Sequence, residues 1–152
     1  MSKSPLNRFK AEFPAKSINE GYARMVAAAF VSQLDPTVAD LADIKTAVSE
    51  AVTNCIVHAY PDGVGNIYIS AGIFENGLVR IKIRDKGCGI ADIKKAMEPL
   101  FTTGSDDERS GLGFSVMQSL TDKVRVRSKP GGPTTVTLEK KLCSKGENNG
   151  SL

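Results

Sequence analysis

Apolar and polar residues alternate along several short segments of the chain, which is the pattern of strands that are buried on one side. The predicted strands are residues 7–13, 66–74, 78–85, a segment marked by Val124 and Val126, and 134–142. Glu75-Asn76-Gly77 lies between two of them and predicts a tight hairpin turn. The pattern therefore predicts a sheet with one apolar face.

Between the first two strands, apolar residues recur at helical spacing. Ser17-Ile-Asn-Glu20 has the spacing of a capping box, so it predicts the start of a helix that runs to about Leu34 and stops at Asp35-Pro36. The apolar positions expected to recur along this helix are Tyr22, Val26, Ala29, Phe30 and then Gln33 or Leu34.

A second and longer helix is predicted over residues 40–60, after a weaker cap signal at Thr37. Pro61-Asp62-Gly63 ends it. Its apolar stripe is Leu41, Ile44, Val48, Ala51, Val52 and Cys55. Shorter helical segments are expected around 92–97 and over 111–120.

These elements predict an α+β fold. Because the strands alternate cleanly, the sheet has one buried face, and helices cover that face alone. The predicted architecture is a two-layer α/β sandwich with a mixed, mostly antiparallel sheet. We expect one domain over residues 1–142 and a polar, disordered tail over 143–152.

Composition excludes several kinds of chemistry. The chain has 152 residues, one histidine and three cysteines, and Cys55, Cys88 and Cys143 show no CxxC spacing. A multi-histidine metal centre is therefore excluded, and His58 is the only histidine that a Ser-His-Asp triad has available. The cysteine number and placement predict reduced thiols, which are typical of a cytoplasmic protein.

Net charge and hydropathy limit the classes of binding partner that the sequence supports. The charge of +3 is small and its basic residues are scattered along the sequence, so nucleic-acid binding gains little support. No secretory signal and no apolar run long enough to span a membrane are visible. We expect a cytoplasmic protein that contacts neither a membrane nor nucleic acid directly.

The first motif with chemical potential is Ser49-Glu50-Ala-Val-Thr-Asn54 on the second predicted helix. Glu50 and Asn54 are one turn apart, about 6 Å along the axis, and nearly on one face. A carboxylate and a carboxamide placed in this way can organise a hydrated Mg²⁺, which needs few protein oxygens when phosphates supply the rest. A solvated polar face explains the pair equally well.

The second motif is Asp85-Lys-Gly87-Cys-Gly89, directly after a predicted strand. Asp85 has the same parity as Val79, Ile81 and Ile83, so its carboxylate points toward the helix-covered face. A buried carboxylate needs a partner, and the exocyclic amine of a purine is one. The glycines allow backbone to approach a flat base closely. A strand-end aspartate that caps a glycine turn is the alternative.

The third motif is Glu108-Arg109-Ser110-Gly111-Leu112-Gly113-Phe114, at the start of a predicted helix. Free backbone N–H groups at such a turn can hold phosphates, and Arg109 can pair with a terminal one. The segment is neither a P-loop nor a Rossmann turn, because both glycine patterns are absent. A glycine-rich loop without a ligand remains the alternative.

In this order and spacing, the three motifs resemble the N box and the two glycine boxes of the Bergerat ATP-binding superfamily, which includes gyrase, Hsp90, histidine kinases and MutL. The resemblance covers residues 5–142. Four segments narrow it to the anti-sigma F factor family of endospore-forming bacteria: AAAFVSQLDPT, IKTAVSEAVTN, EPLFTT and ERSGLGF.

This resemblance implies a role for each matching residue. Glu50 matches the glutamate that orients or deprotonates the attacking hydroxyl, Asn54 the Mg²⁺ ligand, and Asp85 the adenine-binding aspartate. Arg24 matches an arginine that contacts both protein partners. The remaining nucleotide-binding positions that the resemblance implies are Gly87, Gly89, Thr102, Thr103, Arg109, Gly111, Leu112 and Gly113. Gly104-Ser105 departs from the Lys-Pro common in the family, which removes a lysine from the lid segment.

The resemblance also implies a function. Members of the family bind sigma factor F together with ATP, phosphorylate a serine of an anti-anti-sigma factor, and act as homodimers. Three alternatives stay open: a related stress-response anti-sigma kinase, a module that sequesters a sigma factor without kinase activity, and the detached catalytic domain of a histidine kinase. The last would need a phosphoacceptor histidine, and His58 lies within the N-box helix itself.

Overall fold

A computed structural model describes residues 4–97 and 113–142 of the chain. Its five strands are β1 (Asn7–Pro14), β2 (Asn66–Ile73), β3 (Leu78–Asp85), β4 (Lys123–Ser128) and β5 (Thr134–Lys141). They form one sheet in the order β1-β2-β3-β5-β4, and all four pairings are antiparallel. The predicted α+β sandwich is confirmed, with its strand pairing antiparallel throughout the described residues.

The helices lie on one face of this sheet. They are α1 (Ile18–Val31), α2 (Val38–Asn54), α3 (Ile93–Met97) and α4 (Phe114–Leu120). A 3₁₀ turn, Ser32–Leu34, follows α1, and a π-helical turn, Cys55–Ala59, continues α2. Thr37 caps α2 as predicted, because its hydroxyl oxygen accepts a hydrogen bond from the N–H of Asp40 at 3.1 Å.

The core lies between α2 and the centre of the sheet. Ile69 pairs with Ile83 across β2 and β3, and both are 1% exposed. Ile44 and Val48 of α2 belong to the same buried cluster. Burying such a side chain stabilises the fold by about 1.5–3 kcal/mol. Burial of Ile83 sets which side of β3 faces the helices, and Asp85, two residues further along the strand, points to the same side.

The predicted capping box of α1 is wrong. Ser17 has helical backbone angles and its side chain makes no cap hydrogen bond. Glu20 does not reach back to the helix start, since its carboxylate accepts hydrogen bonds from Arg24 and from Ser49 on α2. The charged guanidinium of Arg24, one turn along the same helix, and the hydroxyl of Ser49 on α2 compete better for this carboxylate than a backbone N–H at the helix start.

The predicted apolar positions of α1 are also partly wrong. Tyr22 is 56% exposed and Ala29 is exposed, whereas Phe30 is buried as expected. The buried residues are Ala23, Ala27, Ala28, Phe30 and Val31. Three of these five residues are alanines, which allow close packing of α1, whereas Tyr22 lies on a more exposed side of the helix. Periodicity alone does not distinguish a stripe of alanines from the stripe of larger side chains beside it.

The outer face of the sheet carries a concentration of positive charge. An open groove of about 900 Å³ is lined there by the charged residues Lys10, Glu12, Lys82, Arg84, Lys86, Arg127 and Lys129. Six cations and one carboxylate leave an excess of five positive charges, more than the +3 of the whole chain. Basic residues that are scattered in sequence are therefore gathered on the face away from the helices.

The turn between β2 and β3 has the geometry that its sequence predicts. Asn76 and Gly77 adopt left-handed angles, with φ of 65° and 79°. Only glycine suits the second position, because a Cβ on Gly77 would be 2.6 Å from the carbonyl oxygen of Leu142. The hairpin registers β2 on β3 and so pairs Ile67 with Asp85 at the far end.

Candidate functional site

A pocket lies between the end of α2, the end of β3 and the start of α4. Its polar side chains are Asn54, Cys55, His58, Asp85 and Thr134. Its apolar walls include Ile83 of β3, Phe114 of α4 and Val136 of β5. The fold thus brings Asn54 of the first motif to Asp85 and Gly89 of the second, although 31 positions separate Asn54 from Asp85 in the sequence.

Asp85 points into the buried side of the sheet, as its parity predicts. The residue is 5% exposed. Its Oδ1 accepts a hydrogen bond from the N–H of Gly87 at 2.9 Å, and its Oδ2 lies 3.6 Å from Sγ of Cys55. Burial raises the pKa of the Asp85 carboxyl, and hydrogen bonds from the Gly87 backbone, the Cys55 thiol and the Thr134 backbone oppose the shift only in part. The carboxylate therefore keeps acceptor capacity for a donor that enters the pocket.

The glycine loop after Asp85 is held against the end of the π-helical turn. The N–H of Cys88 donates to the carbonyl oxygen of Ala59 at 2.9 Å. Gly87 passes so close to this carbonyl that a Cβ there would collide with it. The π-helical turn and the glycine thus depend on each other, which accords with the frequent occurrence of π-helical turns at functional sites.

The opposite side of the loop is held by the connection between β4 and β5. The N–H of Gly131 donates to the carbonyl oxygen of Cys88 at 2.6 Å, and the N–H of Ile90 donates to Oγ of Ser128 at 2.8 Å. Gly89 has a φ of 77°, and a Cβ there would collide with the carbonyl oxygen of Lys129. Both glycines of the predicted first box are therefore required by close contacts on opposite sides.

Tyr60 is a site residue that sequence reasoning missed. Its hydroxyl donates to the carbonyl oxygen of Asn66 and accepts from the N–H of Lys86, both at 2.7 Å. The ring occupies the space next to Gly65, where a Cβ would collide with it. Tyr60 thereby ties the end of the helix to the strand end that carries Asp85. A tyrosine at a helix end carries no local signal for this bridge.

The side chain of Glu50, on α2, lies against the start of α4 rather than on a solvated face. A Cβ on Gly113 would collide with Oε2 of Glu50, so the carboxylate lies against the Gly113 backbone. Gly113 has a φ of 68° and immediately precedes α4. The N-box glutamate and the last glycine of the third motif are therefore neighbours in space, although 63 positions separate them in the sequence.

Five predicted residues lie outside the described part of the chain, and their positions are untested: Thr102, Thr103, Arg109, Gly111 and Leu112. The predicted tail over 143–152 also lies outside it.

The described residues contain no cluster of three or more His, Cys, Asp or Glu side chains that could hold a metal ion. Asn54 lines the pocket, and its amide oxygen is of the type that Mg²⁺ accepts as a ligand. A divalent cation bound there would need its other oxygen ligands from phosphate groups and water, which suits Mg²⁺. His58 lines the same pocket, and burial lowers the pKa of its imidazole, which keeps it neutral at pH 7.

Arg24 lies apart from the pocket, in a polar network between α1 and α2. Its guanidinium donates to Glu20 at 2.6 Å and to Oγ of Ser49 at 3.2 Å, and Ser49 also donates to Glu20 at 2.6 Å. The Arg24 side chain is half-exposed. Ile18 and Met25, on the same helix, are 82% and 56% exposed. This end of α1 presents a cation beside exposed apolar side chains.

Comparison with known proteins identifies relatives over nearly the whole chain. The histidine kinase-like ATPase domain family matches residues 13–140. The anti-sigma F factor of Caldanaerobacter subterraneus subsp. tengcongensis is 53% identical over 134 residues, which are 88% of this chain and 93% of that protein. The anti-sigma F factor of Thermoanaerobacter sp. is 52% identical over 138 residues, covering 91% of this chain and 96% of the relative.

A solved structure shares the fold. The RsbU and RsbW domains of Rv1364c from Mycobacterium tuberculosis superpose with a TM-score of 0.67 over 92% of this chain and 34% of that one, at 22% identity. Identity this low supports the architecture alone. Among the described residues no helix is both long and apolar enough to cross a membrane.

We expect Gly87→Ala to destabilise the protein by about 1–3 kcal/mol, because the added methyl overlaps the Ala59 carbonyl and the loop must move. The matched control is Gly63→Ala, where no atom lies within 4 Å of the added Cβ; a change within about 0.5 kcal/mol is expected. Urea unfolding of the three proteins measures both values. Equal stability of the two variants would contradict the described loop.

Proposed function

Because the chain belongs to the histidine kinase-like ATPase domain family and, within it, to the anti-sigma F factors, we propose that it is an ATP-dependent anti-sigma factor with serine kinase activity. It binds and inhibits sigma factor F in the presence of ATP. It transfers the γ-phosphoryl group of ATP to a serine of an anti-anti-sigma antagonist and releases ADP. The proposal includes a homodimer that works in the cytoplasm.

The observation that carries the nucleotide part of this proposal is the buried Asp85 carboxylate in its glycine-lined pocket. A carboxylate that is 5% exposed gains from an additional donor, and the exocyclic amine of adenine supplies one. Gly87 and Gly89 carry no side chain, which supports a close approach of a flat base to the loop beside Asp85. The residues present thus fit a purine.

We assign the phosphate end of the site to the third motif. Gly113 lies against Glu50 at the start of α4. Backbone N–H groups of Gly111, Leu112 and Gly113 are proposed to hold the phosphates, together with Arg109. Thr102 and Thr103 are assigned to the same lid segment. Phosphoryl transfer depends mainly on positioning and charge neutralisation, which are the contributions that these groups make.

Glu50 is the proposed catalytic residue. Its carboxylate lies beside Gly113 at the proposed phosphate end of the site, which supports a role in orienting the serine hydroxyl of the partner and accepting its proton. Asn54, one helical turn further, is proposed to give its amide oxygen to Mg²⁺, which neutralises phosphate charge when it is bound. Glu50 is thus assigned to the incoming hydroxyl and Asn54 to the nucleotide.

The exposed end of α1 is the proposed surface for both protein partners. Arg24 is held by Glu20 and Ser49, so its guanidinium is ordered before a partner arrives. Ile18 and Met25 provide the exposed apolar area that protein interfaces use around an arginine anchor. Ser49 precedes Glu50 in the chain, so this surface adjoins the helix that carries the proposed catalytic residue.

The deciding experiment incubates the protein with Mg²⁺, γ-labelled ATP and the candidate anti-anti-sigma factor. Label on a serine of the second protein is the expected result. Label on neither protein, with ATP still bound, would favour a sequestering module without kinase activity. Label on a histidine of this chain would favour a histidine kinase domain.

We expect Glu50→Gln to lower the rate of phosphoryl transfer by about 10²–10⁴-fold, because the amide cannot accept the hydroxyl proton. ATP affinity should stay within about threefold of the wild-type value, since the side chain keeps its shape beside Gly113. Single-turnover phosphorylation and calorimetry measure the two quantities separately. Wild-type transfer rates in this variant would remove Glu50 from the catalytic role.

Asp85→Asn should weaken ATP binding by about tenfold or more. The amide replaces one acceptor oxygen by an N–H₂ group, so a donor would face either the protein donors around position 85 or the amine of the base. Titration with labelled ATP compares the variant with the wild type. Equal dissociation constants would contradict the adenine assignment. Circular dichroism of both proteins checks that the variant is folded.

Reversal of charge in Arg24→Glu should weaken binding of the protein partners by about tenfold or more and leave ATP affinity unchanged. Arg127→Glu, an exposed position on the outer face of the sheet, is the matched control and should leave partner binding unchanged. Surface plasmon resonance with the sigma factor and with the antagonist measures the effect. Equal losses in the two variants would show that charge alone, and not the α1 surface, controls binding.

A further inference from the structure

A buried thiol lies against the Asp85 carboxylate, and neither the motifs nor the family match gives it a role. Cys55 is 3% exposed, and its Sγ is 3.6 Å from Oδ2 of Asp85. We propose that Cys55 is a positioning residue of this site, whose thiol donates a hydrogen bond to Oδ2 and fixes the carboxylate for the base. Its consequence for nucleotide affinity rests on the proposed function, whereas the contact itself is testable without nucleotide.

The thiol has one proton and two acceptors within reach. Sγ lies 3.5 Å from the carbonyl oxygen of Ala51, one helical turn back, and 3.6 Å from Oδ2 of Asp85. Distance does not separate these acceptors, but charge does, because hydrogen bonds to an ionised acceptor are about twice as strong as neutral ones. Buried carboxylates are also the costlier group to leave without a donor. The proton therefore goes to Asp85.

The two carboxylate oxygens are held from different parts of the fold. Oδ1 accepts from the N–H of Gly87 in the loop that follows β3, and Oδ2 accepts from Cys55 at the start of the π-helical turn. Donors on both oxygens fix the plane of the carboxylate, so rotation about its last side-chain bond is restrained. A base amine then meets an acceptor that is already oriented.

Cys55 is buried beside Asp85, so the contact between the thiol and the carboxylate is shielded from solvent. The other titratable group on the pocket wall is His58, which is neutral at pH 7 because burial lowers its pKa. Tyr60 feels the Asp85 charge, and burial raises the pKa of its hydroxyl, so it stays neutral too. Lys86, the adjacent cation, is exposed on the other face.

The thiol stabilises the charged form of Asp85, so removing it should raise the pKa of that carboxyl further. Burial already raises this pKa, and the hydrogen bonds from the Gly87 backbone, the Cys55 thiol and the Thr134 backbone lower it. The ionised form of Asp85 is the stronger acceptor for a base amine. Affinity for ATP should therefore fall as pH decreases through the pKa of Asp85, and in a variant without the thiol the fall should begin at a higher pH.

The test measures the pKa of the Asp85 carboxyl by ¹³C NMR in the nucleotide-free protein. We expect Cys55→Ala to raise it by about half to one pH unit. In Cys55→Ser, whose hydroxyl also donates, it should lie at or below the wild-type value. Val52→Ala removes buried volume from the same helix without removing a donor, and should leave it unchanged. An unchanged pKa in Cys55→Ala, or an equal rise in Val52→Ala, would overturn the proposal.

The pH dependence of ATP affinity then links the contact to the site. We expect the midpoint of the affinity loss in Cys55→Ala to move to higher pH by the same amount as the Asp85 pKa, and to return in Cys55→Ser. If the pKa of Asp85 shifts but ATP affinity does not follow it, the Cys55 contact is confirmed and the adenine assignment fails. The two proposals are thereby tested separately.

Discussion

Burial of the Asp85 carboxylate organises the rest of the site. Strand parity points it into the core, and a carboxylate in that position needs donors. The chain supplies the N–H of Gly87 at 2.9 Å, the thiol of Cys55 at 3.6 Å and the backbone of Thr134. Burial still raises the pKa of this carboxyl, so the charged form is not fully compensated by the protein. A ligand whose hydrogen-bond donor reaches Asp85 would therefore stabilise the carboxylate further and bind more tightly.

Backbone contacts on both sides then fix the loop that follows Asp85. The Ala59 carbonyl at the end of the π-helical turn holds it on one side, and the connection between β4 and β5 holds it on the other. Side chains at Gly87 or Gly89 would collide with these carbonyls. The glycines are thus required by packing within the protein, in addition to any contact with a ligand. Tyr60 adds a third tie to the strand end.

Local patterns predicted most of the fold because they report local physics. Alternation in β2 and β3 fixed the buried face and the direction of Asp85, and Asn76-Gly77 fixed the hairpin. Failures arose where a distant group decided the outcome. Glu20 leaves its own helix end for Arg24 and Ser49, and alanines rather than Tyr22 face α2. The bridges made by Tyr60 and Cys55 join segments that no local pattern relates.

Base recognition by Asp85 is tested most directly by comparing the affinities for ATP and for inosine triphosphate. The two nucleotides share their phosphates and sugar, but inosine presents a carbonyl oxygen where adenine presents an amine. Because the inosine carbonyl oxygen would face the Asp85 carboxylate, the affinity for inosine triphosphate should be at least about tenfold lower than that for ATP. Tighter binding of ATP by that margin is the predicted result. Equal binding of the two nucleotides would contradict it.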